Sequence, residues 1–288
     1  MGSRIFPLFI TLFLIGNQLW PALDLSSPTS EWTALPFPGV NAVSDFVDDT
    51  QVSSADLDLV GLNDQYSAYT RFDSVNTLGF RLRLAGDKAP PGFTGQVWIG
   101  VDVNEDANLD IFIGANSSEI TFNIGDDFEN TSPANTSINS QSPLYSVAAT
   151  SANFLWAPVD SSNDPLGAHT DIDGFLDPGS NSGNDYFLTF SFDFDEFATI
   201  VTLLGGVNDF SSSSSVAYVV GTANQANTLN SDWAGIDGQV NSSSDWPIIG
   251  GITPVIPVPE PATTVFSLAV ICFIFAAIGK RNSRKSLA

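Results

Sequence analysis

The chain has one cysteine and one histidine in 288 residues, Cys272 and His169. A single cysteine cannot form an intramolecular disulfide, so apolar packing, sheet pairing and any bound ions must hold the fold. Zinc is disfavoured too, because a lone histidine would leave carboxylates to supply the rest of its shell. Basic residues are scarce, at 9 Lys+Arg against 32 Asp+Glu. Between residues 28 and 258 the only cations are Arg71, Arg81, Arg83 and Lys88, facing 30 acidic side chains, a net charge of −26. A surface this acidic repels phosphate backbones and argues against nucleic acid as a partner, while hard divalent cations suit it.

Catalytic signatures are missing as well. The sequence holds no Gly-x-Ser-x-Gly, no His-Glu-x-x-His and no phosphate-binding glycine loop. A Ser-His-Asp triad would have to use His169, in the uninformative context Gly-Ala-His-Thr-Asp. Carboxylates such as Asp193, Asp195 and Glu196 have the chemistry for glycoside hydrolysis, which needs only two at the right separation. In a chain this acidic such neighbours arise by chance. The expectation is a non-enzymatic protein with no catalytic residue.

Apolar residues, by contrast, are plentiful: 43% of the chain, with 22 Phe, enough to bury a core. From 28 to 251 they fall into strands and turns. In Leu78-Gly-Phe-Arg-Leu-Arg-Leu84 the leucines and Phe80 alternate with Gly79, Arg81 and Arg83, the period of a strand buried on one face. Further strands are expected at 67–72, 96–102, 109–114, 119–125, 151–156, 185–194 and 215–221. One segment differs. Phe197, Ile200, Val201 and Leu204 recur at helical spacing, so 195–205 reads as a short amphipathic helix with Asp195 as N-cap and a following glycine as terminator. Ser/Asn/Gly-rich loops separate the strands without a fixed repeat. The expected fold is all-β, a single antiparallel β-sandwich with long loops and one short helix.

Both ends depart from this pattern. Arg4 precedes an apolar run, 5–15, too short to span a bilayer comfortably, and Ala22 follows it; residues 1–25 read as a secretory signal. At the other end, Pro254, Pro257, Pro259 and Pro261 make 252–261 an extended linker that is expected not to join a sheet. A transmembrane helix is expected over 262–279, followed by a basic tail, 280–288, with Lys280, Arg281, Arg284 and Lys285 held in the cytoplasm.

The order Val258-Pro259-Glu260-Pro261, apolar span, basic cluster resembles the PEP-CTERM sorting signal of Gram-negative exoproteins. The body is also loosely similar to such proteins over 221–238. The resemblance implies an exosortase as partner and only a transient stay in the inner membrane. The end point would be the cell surface or the extracellular space, in association with exopolysaccharide. The alternative cargo is a secreted carbohydrate-binding protein or carbohydrate-active enzyme with the same tail. Exposed tryptophans would serve that role; Trp98, Trp156, Trp233 and Trp246 are the candidates, although most tryptophans fill cores.

One loop points to a ligand. Asp102, Asn104, Asp106, Asn108 and Asp110 place oxygens at alternate positions between two apolar runs, as calcium loops do. The sixth position, usually glycine, is Ala107, and the twelfth is Ile113, so a full EF-hand is excluded. Calcium is the expected ion, with Asp171, Asp173 and Asp177 as a weaker second group.

Overall fold

The computed structural model describes residues 23–37, 45, 54–61, 66–73, 76–88, 91–124, 143–165, 184–204, 207, 209–225, 231–236 and 251–258. Among the described residues twelve strands form two antiparallel sheets. The first contains β1 (Thr33–Ala34), β2 (Ala68–Phe72), β3 (Thr77–Leu84), β8 (Phe154–Pro158) and β9 (Tyr186–Asp193), in the order β1-β2-β3-β9-β8. The second contains β4 (Gln96–Asp102), β5 (Ile111–Ala115), β6 (Glu119–Ile124), β7 (Tyr145–Ala148), β10 (Ser215–Ala223) and β11 (Asp232–Trp233), in the order β11-β10-β4-β5-β6-β7. A short β12 (Ile256–Pro257) also pairs with β10. The all-β sandwich expected from the strand pattern is present.

The core lies between the sheets and follows the period of two. Leu78, Phe80, Leu82 and Leu84 of β3 and Leu188, Phe190 and Phe192 of β9 line one inner face. Val97, Ile99 and Val101 of β4 and Val216, Tyr218 and Val220 of β10 line the other. Phe80 meets the Tyr218 ring edge-on at 5.4 Å, and Phe122 meets Phe192 edge-on at 5.1 Å, so aromatic rings bridge the two layers.

The helix α1 (Phe194–Leu204) closes one end of the sandwich. Phe197, Ile200 and Val201 are buried, as their spacing required, and Phe197 joins Phe122, Phe192 and Phe210 in an aromatic cluster. The side chain of Leu204 and the glycines 205–206 lie outside the described residues. The cap is corrected: Asp193, not Asp195, takes the Glu196 N–H at 3.0 Å, because the helix begins at Phe194.

Two further expectations are overturned. Arg81 and Arg83 alternate with core residues but do not face solvent; both are fully buried, because a second layer of chain covers the outer face of the first sheet. The proline-rich segment does join a sheet. Ile256 pairs with Val216 and Pro257 with Ser215; Thr253 N–H donates to the Tyr218 carbonyl and Val258 N–H to that of Ser214, both at 2.9 Å. Pro257 is tolerated on this edge because its neighbour Val258 supplies the donor that proline lacks.

Packing therefore reaches past the expected body of 28–251. Leu23, Leu25 and Ser27 are buried at one end, and Ile252, Thr253 and Val258 at the other. Among the described residues no helix is long and apolar enough to cross a membrane. The expected span 262–279, the basic residues Lys280, Arg281, Arg284 and Lys285, and Pro259, Glu260 and Pro261 lie outside the described residues.

Candidate functional site

The acidic loop 102–110 joins β4 to β5. Asp102, the last residue of β4, is buried, while Asn104 to Asn108 are exposed. One Asp102 carboxylate oxygen accepts the N–H groups of Asn104 at 3.3 Å and Glu105 at 2.8 Å, and the other accepts that of Ala107 at 2.9 Å. Asn104 accepts the Asp106 N–H and Asp106 the Asn108 N–H, while Asp110 accepts the Val103 N–H at 2.8 Å and the Asn104 amide at 3.3 Å. The alternating oxygens thus organise the loop by holding successive backbone donors. Glu105 and Ala107 sit at φ 64° and 68°, so Ala107 adopts the left-handed geometry for which glycine is the usual residue. Leu109 turns back under the loop and is buried with Trp98 and Phe112.

Among the described residues no three acidic, imidazole or thiol groups converge as a metal cluster. Four of the five predicted oxygen donors, those of Asp102, Asn104, Asp106 and Asp110, join one hydrogen-bond network, and Asn108 contributes its N–H. One Asp102 oxygen already accepts two N–H groups, so a cation at this loop would have to be met by the other oxygens of the set. The second acidic group, Asp171, Asp173 and Asp177, and His169 lie outside the described residues.

The four cations of the body are all turned to structural work. Arg71 pairs with Glu31 at 2.8 Å, and Lys88 lies 3.7 Å from Asp56. Arg83 is completely buried and bridges Asp185 at 2.5 Å and Asp164 at 2.9 Å. Arg81 meets no carboxylate among the described residues. Its guanidinium donates to the carbonyls of Leu25 at 2.6 Å and Ser27 at 2.7 Å and to the Thr189 hydroxyl at 3.1 Å. It lies between the rings of Trp32, 4.4 Å away, and Phe187, 5.0 Å away, a cation–π sandwich. Burial pulls Arg81 down to about 10, and burial pushes the neighbouring Tyr69 up to about 12, helped by the charge of Asp164.

Beside this cage is a cavity of about 220 Å³, lined by Leu25, Arg81, Leu155, Asp160, Asn163 and Phe187 among others. Ligand pockets generally run from about 300 Å³ upward, so a polymer segment would not be enclosed here. Two of the candidate sugar platforms are not exposed. Trp98 and Trp233 are buried beneath the outer layer of the second sheet, while Trp156 is half-buried, stacked on Tyr186 at 4.9 Å and donating to Asp87. Trp246 lies outside the described residues. Nothing in the sequence marked the Arg81 cage, because its partners are backbone carbonyls that any residue could supply.

No family model matches the chain, and no curated protein or solved structure matches it.

Proposed function

We propose that the chain is an exported surface or matrix protein of a Gram-negative cell, sorted by an exosortase and without catalytic activity of its own. The observation that carries this reading is the order of its last thirty or so residues. Pro259-Glu260-Pro261 directly follows the buried Val258, the residue after β12, and the apolar run and basic cluster come next in the sequence. A sorting enzyme acting on such a box would meet it at the border of the folded body, and could remove the tail without taking a core residue. The inner membrane holds the precursor through 262–279, and the acidic body reaches the cell surface or the exopolysaccharide outside. Calcium belongs to the same proposal as the ion of the 102–110 loop, where oxygen donors and left-handed turns gather at one corner of a disulfide-free body.

The test is mass spectrometry of the protein recovered outside the inner membrane. Peptides of the body are expected up to Val258 and the box, with no peptide containing Phe273 or Lys280. Intact tails in that fraction would overturn the sorting assignment.

A further inference from the structure

The first sheet is covered on its outer face by a segment whose first residues, from Leu23, fall inside the expected secretory signal of 1–25. Leu23, Leu25 and Trp32 are buried against Tyr69, Val159 and Phe187. Gly79 makes the room: a Cβ there would stand 2.4 Å from Leu23 Cδ2 and 3.3 Å from the Trp32 ring. The segment is also hydrogen-bonded in. Leu25 and Ser27 give their carbonyls to Arg81, the Ser27 hydroxyl takes the Trp32 indole N–H at 3.0 Å, and Thr29 donates to Asp164 from its hydroxyl and to the Asn163 carbonyl from its backbone.

From this packing we infer that the leader is removed at the Ala22–Leu23 bond, and that residues 23–27 are the first structural segment of the exported protein. The inference rests on the export reading above and narrows it. A cut after residue 25, 26 or 27 would take away one or both carbonyls that satisfy the buried Arg81, and a cut after 23 or 24 would take Leu23 from its seat against Gly79. An unsatisfied buried cation is among the costliest defects a fold can carry. Each of these cuts removes Leu23 from the space over Gly79, and those after 25, 26 or 27 also remove Leu25. Ala22 supplies the small residue that leader peptidases take at the position they cut after, while Trp20, two places before it, departs from the A-x-A-like pattern, so the packing of 23–27 carries the assignment. Hydrolysis there adds one water across the peptide bond, leaving a carboxylate on Ala22 and an ammonium group on Leu23. Every packed residue stays with the body.

The experiment expresses the full chain in a Gram-negative host with an active export route and reads the N-terminal peptide of the exported product. A start at Leu23-Asp24-Leu25 is expected. A product that starts at Leu25, Ser26, Ser27 or Pro28 overturns the inference and leaves export standing, whereas full-length protein that stays inside the cell overturns export itself. A second arm uses the full-length Ala22→Tyr variant. Loss of most of the processed form, with precursor accumulating, is expected. Efficient cutting further downstream, to a body as protease-resistant as the wild type, overturns the inference.

Discussion

On the outer face of the five-stranded sheet, Arg81 and Arg83 lie buried among carboxylates, carbonyls and rings, beneath a cover drawn from 23–34 and 158–165. On the outer face of the seven-stranded sheet the cover is apolar: Leu109, Ile236 and Ile252 pack with Trp98, Phe112, Val219 and Trp233. Two ways of burying a second sheet face thus occur in one molecule. The apolar cover depends on shape and volume. It uses small residues to seat large ones, as at Gly114, where a Cβ would stand 2.5 Å from the Trp98 ring. The polar cover depends on completeness, since every donor of a buried guanidinium lost from its network costs more than a lost contact. The polar face should therefore be brittle and the apolar face forgiving.

The sharpest way to break this contrast is a matched pair of substitutions. Arg83→Met keeps much of the volume but strips Asp164 and Asp185 of their buried cation, and is expected to cost about 3–5 kcal/mol. Leu109→Met on the other face is expected to cost under about 1.5 kcal/mol. Denaturant unfolding of both variants measures this, and equal losses would erase the distinction.

Calcium tests the apolar side, because the 102–110 loop carries Leu109 into that cover. With free ion a hundredfold above its dissociation constant the body should gain about 2.7 kcal/mol. Weak extracellular sites bind at about 0.1–1 mM, so the rise in Tm should appear at millimolar calcium and vanish with chelator. Asp102→Ala and Asp106→Ala are expected to abolish the response. A shift that survives both substitutions would move the ion away from this loop.

The smallest effect probes the polar side by titration. Tyr69 has its folded value raised to about 12 from 10.0, so it stays protonated in the folded state while the unfolded chain ionises. Its contribution is complete below pH 10 and is lost as pH rises towards 12, at up to about 1.4 kcal/mol per pH unit. Tyr69→Phe should flatten the fall in stability over that window. Tyr218, raised by burial in the core, keeps its own part of the slope. An unchanged slope in Tyr69→Phe would place the alkaline sensitivity elsewhere.

The strands of the core were legible because each carries its own signal. In β3 the alternation of Leu78, Phe80, Leu82 and Leu84 marks an inner face whatever covers the other side. The helix was legible for the same reason, although its cap was not, because Asp193 and Asp195 are chemically alike and only the backbone shows that Asp193 takes the Glu196 N–H. Strands β1, β7, β11 and β12 were not legible. They are two to four residues long, too short for a period, and their pairing is supplied by longer neighbours. The Asp/Asn loop could be located but its hydrogen bonds could not, since they depend on the backbone turns at Glu105 and Ala107.

Local periodicity and composition by themselves determined that the body folds as a β-sandwich, with an aromatic core, an acidic surface and, among the described residues, one α-helix. Those properties follow from which side chains recur at every second or third position, and they survive any choice of neighbour. Only the tertiary structure decided that Arg81 and Arg83 are inside, that the proline-rich segment is an edge strand, and that packing reaches out to Leu23 and to Val258. Each of these depends on a contact between residues far apart in the chain: Arg81 with Leu25, Arg83 with Asp185, Val258 with Ser214. A buried cation is stable only where distant carbonyls and carboxylates complete its shell, and a proline joins a sheet only where the neighbouring edge asks no donor of it.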